Sequence, residues 1–207
     1  MRHFILTLLT LAPLTMWAQD NTWEKPEEEQ EAQQAVQKVN PDEKYLRGAV
    51  PMVDGQVVFT KHIDAPGKTA AQVYDILHSY MQKMTQERNQ LQGTKLLKED
   101  AAAHQLAGYY EEWLVFNSSF IALDRTRLYF ALTADCKDGG ADITLSHIRY
   151  LYDEQRSPQR YKAEEWITDK AAVNKKNTKL LPLSGKFRRK TIDRKDFLFN
   201  KFESLLK

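Results

Sequence analysis

Asp135 and Asp142 stand symmetrically about Asp138-Gly139. In a hairpin turning there they become cross-strand neighbours, close enough to perturb each other's proton affinity. Paired carboxylates of that kind could serve glycoside hydrolysis. No third group with a role accompanies them, so the preferred reading is that both splay into solvent at a sheet edge, with a hydrolase using the carboxylates near the Asp138-Gly139 hairpin as the alternative. Glu111 and Glu112 are adjacent on an expected strand and so point to opposite faces. Cys136 is the only cysteine, and its one test as a nucleophile is with His147 as base. Hairpin spacing sets the two roughly 20 Å apart along the strands, at ~3.3 Å per residue, beyond reach of proton transfer. His62, His78, His104 and His147 are scattered, with no ligand spacing such as His-x-x-Glu-His, so neither a metal nor a cofactor is expected. Gly185-Lys186 lacks the preceding strand and glycine of a phosphate loop. With no catalytic residue assigned, the chain reads as a non-enzyme.

Two constellations suit binding better than catalysis. Tyr129, Tyr150 and Tyr152, with Thr133, Thr144 and Ser146 between them, are expected on one sheet face. There rings would supply area and hydroxyls direction for a sugar, a peptide or a flat ligand. The competing reading is that the C-terminal helix or Trp166 covers those tyrosines as ordinary packing. The run Lys186, Arg188, Arg189 and Lys190 could hold anionic headgroups, polysaccharide or nucleic acid. Against that, a charge run is more simply solvated or folded back on the acidic part of the same chain.

These residues need a scaffold. From Gly55 to Asp64, Val57, Phe59, Lys61 and Ile63 alternate against Val58, Thr60 and His62, a strand after an Asp54-Gly55 turn. Thr69 stands three residues before Gln72 as in a capping box, and Val73, Ile76, Leu77, Tyr80 and Met84 follow at helical spacing, giving a helix from Thr69 to about Arg88. Four strands are expected next: Thr94 to Glu99, His104 to Phe116, Thr126 to Cys136 and Asp142 to Tyr152. The Asp-Gly pair joining the last two is among the stronger hairpin signals. With Asp138 and Gly139 as loop residues, Ala134 faces Ile143, Leu132 faces Leu145 and Phe130 faces His147, while Tyr129 meets Ile148 and Thr133 meets Thr144 on the other side. A slip of one residue would undo this sorting. Tyr161 to Val173 is a candidate helix anchored by Trp166, and Asn174 to Lys190 reads as irregular and basic. Asp193 to Leu206 reads as an amphipathic helix with Asp193 as its cap.

At the other end, Arg2 and His3 precede an apolar run from Phe4 to Leu14, and Ala18 closes the segment. That is the pattern of a signal peptide over Met1 to Ala18, too short for a spanning helix. The expected product is exported, periplasmic or secreted, and soluble; no cysteine lies near the cut, so it is not a lipoprotein. Residues 19 to 44, rich in Glu and Gln, read as an acidic flexible linker. Charge is unevenly spread. Gln19 to Gln155 holds 14 Lys and Arg against 22 Asp and Glu, net −8, whereas Arg156 to Lys207 holds 15 against 6, net +9. The divisions are therefore a folded domain over 45 to 155 and a basic extension over 156 to 207 whose terminal helix packs back on it. No later stretch reaches spanning length.

Gly-Gln-Val-Val-Phe from Gly55, the entry Ala65-Pro66-Gly67-Lys68-Thr69 to a helix containing Tyr74, and Cys136-Lys137-Asp138-Gly139-Gly140 ahead of Tyr150 together resemble a domain of unknown function with a TATA-binding-protein-like fold, found in exported proteins of Bacteroidota. The resemblance implies an α+β fold, a single curved antiparallel sheet of about five strands with helices packed on one face. It implies no catalytic residue, and likeness to a DNA-binding saddle is not evidence of DNA binding. The expected role is a non-enzymatic envelope protein that binds a ligand, or a polysaccharide, peptide or protein partner, through the free sheet face; a purely structural or assembly role is the further alternative. No specific nucleic-acid partner is expected.

Overall fold

The computed structural model describes residues 40–118 and 123–207. The expected signal peptide and most of the expected linker lie outside the described residues. The last five linker residues do not behave as a linker. Asn40 Nδ2 donates to Thr178 O, Asp42 pairs with Arg189, and a 3-10 turn over Glu43–Tyr45 buries Tyr45.

Two short strands, β1 (Met52–Val53) and β2 (Gln56–Val57), form a hairpin around Asp54 and Gly55. The single strand expected after Gly55 is thus broken, its remainder being β3 (Phe59–Asp64). Helix α1 (Ala70–Met84) starts at Thr69 with a full capping box. There follow β4 (Lys95–Asp100), β5 (Gln105–Ser118), β6 (Leu123–Lys137), β7 (Gly140–Tyr152) and β8 (Gln159–Lys162). Where one helix was expected over Tyr161 to Val173, there are two four-residue turns, α2 (Ala163–Trp166) and α3 (Asp169–Ala172). Helix α4 (Ser184–Leu206) begins nine residues before Asp193, so Asp193 is no cap. Its carboxylate accepts from the Tyr45 hydroxyl at 2.7 Å and meets Lys44 at 2.6 Å. The region expected to be irregular to Lys190 is therefore helical from Ser184.

The main sheet is antiparallel and has six strands in the order β3-β7-β6-β5-β4, with β8 on β7 beyond the end of β3. Six replace the expected five because Gln159–Lys162 returns to the sheet. The β6–β7 turn is fastened from outside. Gly139 has φ 81°, its N–H donates to Lys68 O, and Asp138 Oδ1 accepts from Ala70 N at 2.7 Å. From Lys137↔Gly140 to Ala131↔Ser146 the register is that expected of an Asp-Gly loop.

Alternation then sorts the sheet. Along β6 the even residues from Thr126 to Cys136 are buried and the odd ones are half-buried or exposed. The buried face carries both long helices. Tyr80 of α1 meets Phe202 of α4 edge-on at 5.3 Å, and the Tyr110 hydroxyl donates to Met81 O. One hydrophobic cluster runs from Tyr45 through Tyr110, Phe130 and Tyr150 to Leu206.

Candidate functional site

The expected tyrosine face is redistributed by one irregularity. Between Ala131 and Tyr129 the β6–β7 register shifts by one residue, and His147, with φ 55°, sits in this bulge. Beyond it Tyr129 pairs with Arg149, Leu128 with Tyr150 and Thr126 with Tyr152, so the expected pairs Phe130–His147 and Tyr129–Ile148 do not form. The shift turns Tyr150 and Tyr152 to the helix side. Tyr150 is 1% exposed, its hydroxyl bonded to Thr191 at 2.7 Å and its ring edge-on to Phe187. Tyr152 bonds Asp124 and packs on Phe187. Tyr129, Thr133 and Thr144 remain together on the other face, Thr133 opposite Thr144.

The basic run is drawn inward. Arg188 is fully buried and donates to the carbonyls of Tyr45, Leu46 and Ile167 and to Asp169; its burial lowers its pKa. Lys186 bonds Asp124 and the Tyr152 hydroxyl, and Arg189 meets Asp42. Lys190, partly buried on α4, is likewise engaged. These four cations do not form an open patch, because the helix that carries them turns Lys186, Arg188 and Arg189 onto the chain's own acceptors.

At the hairpin, Asp135 and Asp142 are direct partners as expected. Asp142 accepts from Lys137 Nζ at 2.6 Å and lies 2.6 Å from His62 Nδ1, and these bonds hold its carboxyl below the ordinary range. Asp135 accepts from Gln105. A general acid would need the opposite shift. Burial pushes the Cys136 thiol up to about 11, which keeps it protonated and un-nucleophilic at neutral pH. Among the described residues no group of three His, Cys, Asp or Glu is placed to hold a metal.

The open face instead gathers residues that sequence reasoning passed over. Tyr109, Glu111 and Trp113 on β5 stand opposite Ala131, Tyr129 and Arg127 on β6. Tyr109 and Tyr129 stack with centroids 6.4 Å apart and planes at 26°. Arg127 is paired with two carboxylates. Its Nη1 donates to Glu111 at 2.7 Å, and Nε and Nη2 grip Glu154 at 2.7 and 2.6 Å. The Glu111 bond raises the Arg127 pKa first, against partial burial, with Glu154 adding. Arg125 is placed differently: its guanidinium carbon lies 3.6 Å from the centre of the Trp113 ring. The tyrosines and the tryptophan are half-buried, and burial raises the Tyr129 hydroxyl pKa. Gly93 makes room, since a Cβ there would meet Glu111 Oε2 at 2.1 Å. The period-two parity of Tyr109, Glu111 and Trp113 against Arg125, Arg127 and Tyr129 was visible in the sequence; the register of the β5–β6 pair was not, because no Asp-Gly or similar turn signal stands between Phe116 and Thr126 and a bulge lies between Val115 and Asn117.

Comparison with known proteins identifies the family and the fold. A family model described as a domain of unknown function (DUF4468) with TBP-like fold matches residues 59–151. A DUF4468 family protein from Bacteroides ovatus is 41% identical, with a TM-score of 0.74 over 81% of this chain and 96% of that one. A TBP-like protein from Parabacteroides distasonis, 17% identical, shares the fold with a TM-score of 0.62 over 76% of this chain and 96% of that one. No curated protein matches the sequence.

Proposed function

The chain belongs to the DUF4468 family of domains with a TBP-like fold, and from that premise we propose that it is an exported, non-enzymatic binding module that takes its ligand on the open face of the sheet. The observation carrying this reading is the unlike treatment of the two faces. Helices α1 and α4 both pack on one of them. The other presents Tyr109, Tyr129 and Trp113 half-exposed beside Arg125 and Arg149, neither of which has an acidic partner among the described residues. Rings with area to offer and cations lacking counter-charges are what a recognition surface needs. The leader-like Met1 to Ala18 segment supports export. The depressed Asp142 carboxyl and the protonated Cys136 thiol support a non-catalytic role. Among the described residues no helix is long and apolar enough to cross a membrane.

The test is a thermal-shift screen of the purified protein against oligosaccharides, peptides, lipids and metal ions. A stabilising compound should lose its effect in Tyr129→Ser and keep it in Tyr150→Phe. Loss in Tyr150→Phe alone would move the site off the open face.

A further inference from the structure

Resting on the open-face reading, we infer that the end of that face around Arg125 is a subsite for the carboxylate of an acidic saccharide. A cavity of about 480 Å³ lies there, its lining including Trp113, Arg125, Leu151, Asp153, Glu154 and Arg156. Two nearby carboxylates are already committed: Glu154 to Arg127 at 2.6 Å and Asp124 to Lys186 at 2.6 Å. Neither reaches Arg125 or Arg156. Asp153 is the remaining lining carboxylate, set on a turn with φ 50°, and it is outnumbered by the two guanidiniums.

Arg125 is held rather than mobile. Contact with the indole at 3.6 Å fixes the guanidinium against the ring and leaves N–H groups at its edge for an acceptor. A guanidinium presented this way suits two parallel bonds to one carboxylate.

The remainder of the face decides what carries that carboxylate. From Trp113 the strip continues through Tyr129 and Tyr109, then to Thr133, Thr144 and Thr60, which lie in one cross-strand row with Ala107. Rings suit the C–H faces of pyranoses, and hydroxyls suit their hydroxyl groups. Unpaired cations do not run the length of the strip: Arg125, Arg149 and Lys162 lie toward one end, while at the other Asp135 and Asp142 sit together, with Lys137 and His62 bonded to Asp142. A nucleic-acid backbone, charged at every residue, would find no continuous row of unpaired cations to follow. A mostly neutral, hydroxylated chain bearing a carboxylate at one position needs no such row.

The test is calorimetric titration of the purified protein with trigalacturonate, its fully methyl-esterified form, and inorganic polyphosphate. The acid should bind about tenfold or more tightly than its ester. Arg125→Gln should erase that preference, and Arg125→Lys should restore only part of it. Equal binding of acid and ester, a preference that survives Arg125→Gln, polyphosphate binding as tight as trigalacturonate, or no saccharide binding would each overturn the inference. Equal binding that is abolished in Tyr129→Ser would overturn the carboxylate subsite and leave the open-face reading standing. Saccharide binding indifferent to Tyr129→Ser would overturn both.

Discussion

Glu112 and Trp113 are neighbours on β5, yet their side chains enter two different kinds of environment. Glu112 is fully buried on the helix side, accepting from Arg194 Nε and Nη2 at 2.7 Å each and from Gln90 Nε2 at 2.6 Å. Trp113, half-buried on the open side, holds Arg125, for which the described residues supply no carboxylate. At Glu112 charge is completed by the chain's own groups, out of water; at Arg125 it is positioned and left incomplete. Completed buried charge belongs to the architecture, because breaking it strands an ion in the core. Positioned, incomplete charge does little for the fold and leaves its bonding capacity for something else.

The largest expected effect follows from removing half of the completed pair. Glu112→Ala leaves Arg194 buried without its bidentate partner, with Glu87 3.8 Å away, and burial already raises the Glu87 pKa. Urea unfolding should show a loss of about 3–5 kcal/mol. Replacing both partners, as Glu112→Leu with Arg194→Met, should recover most of it, since an apolar pair of similar volume leaves no stranded charge. A cost for Glu112→Ala no larger than that of a surface substitution would break the comparison.

Tyr150 and Tyr129 offer a finer version, one from each face. Tyr150→Phe strands the buried Thr191 hydroxyl and should cost about 1–2 kcal/mol. Tyr129→Phe, by contrast, should stay within about 0.5 kcal/mol of the parent. Equal losses would mean that Tyr129 is as embedded as Tyr150.

That these two tyrosines were expected on one face shows where the sequence was legible. The Asp138-Gly139 turn determines its own register, and every pair as far as Ala131↔Ser146 follows from it. Ser146-His147-Ile148 gives little sign of a bulge, because histidine enters the left-handed region more readily than most residues but is also at home in a regular strand. One inserted residue was enough to exchange Tyr150 for Arg149 on the open side. The capping box at Thr69 was equally plain, since its two bonds lie within four residues. Asp193 misled because an acidic residue before an apolar run looks like a cap, and only the distant Tyr45 and Lys44 explain its place inside α4. Arg188 and Arg194 could not be read as core residues, since their acceptors come from residues 45, 46, 112, 167 and 169, far off in sequence. Local signals wrote the turns and the helix start, while long-range pairing drew Arg188 and Arg194 into the core.

Arg125→Gln should cost no more than about 1 kcal/mol, the scale of one exposed cation–π contact, when measured by the same urea titration. A larger loss would make Arg125 part of the fold rather than of the open surface.

The smallest effect is expected where charge is completed but exposed. Glu203 of α4 meets Lys61 of β3 and Lys207, each at 2.6 Å, and the bonds to Lys207 and then Lys61 lower its carboxyl from 4.5 to about 2. A carboxyl depressed on folding contributes stability that is present above its unfolded value and lost as pH falls through the folded one. The melting temperature of the parent should therefore exceed that of Glu203→Gln slightly above about pH 5, and the two should converge as pH approaches about 2. Because solvent screens this pair, completion alone should confer little. If Glu203→Gln were as damaging at neutral pH as Glu112→Ala, pairing rather than burial would be what separates the helix-side charges from Arg125.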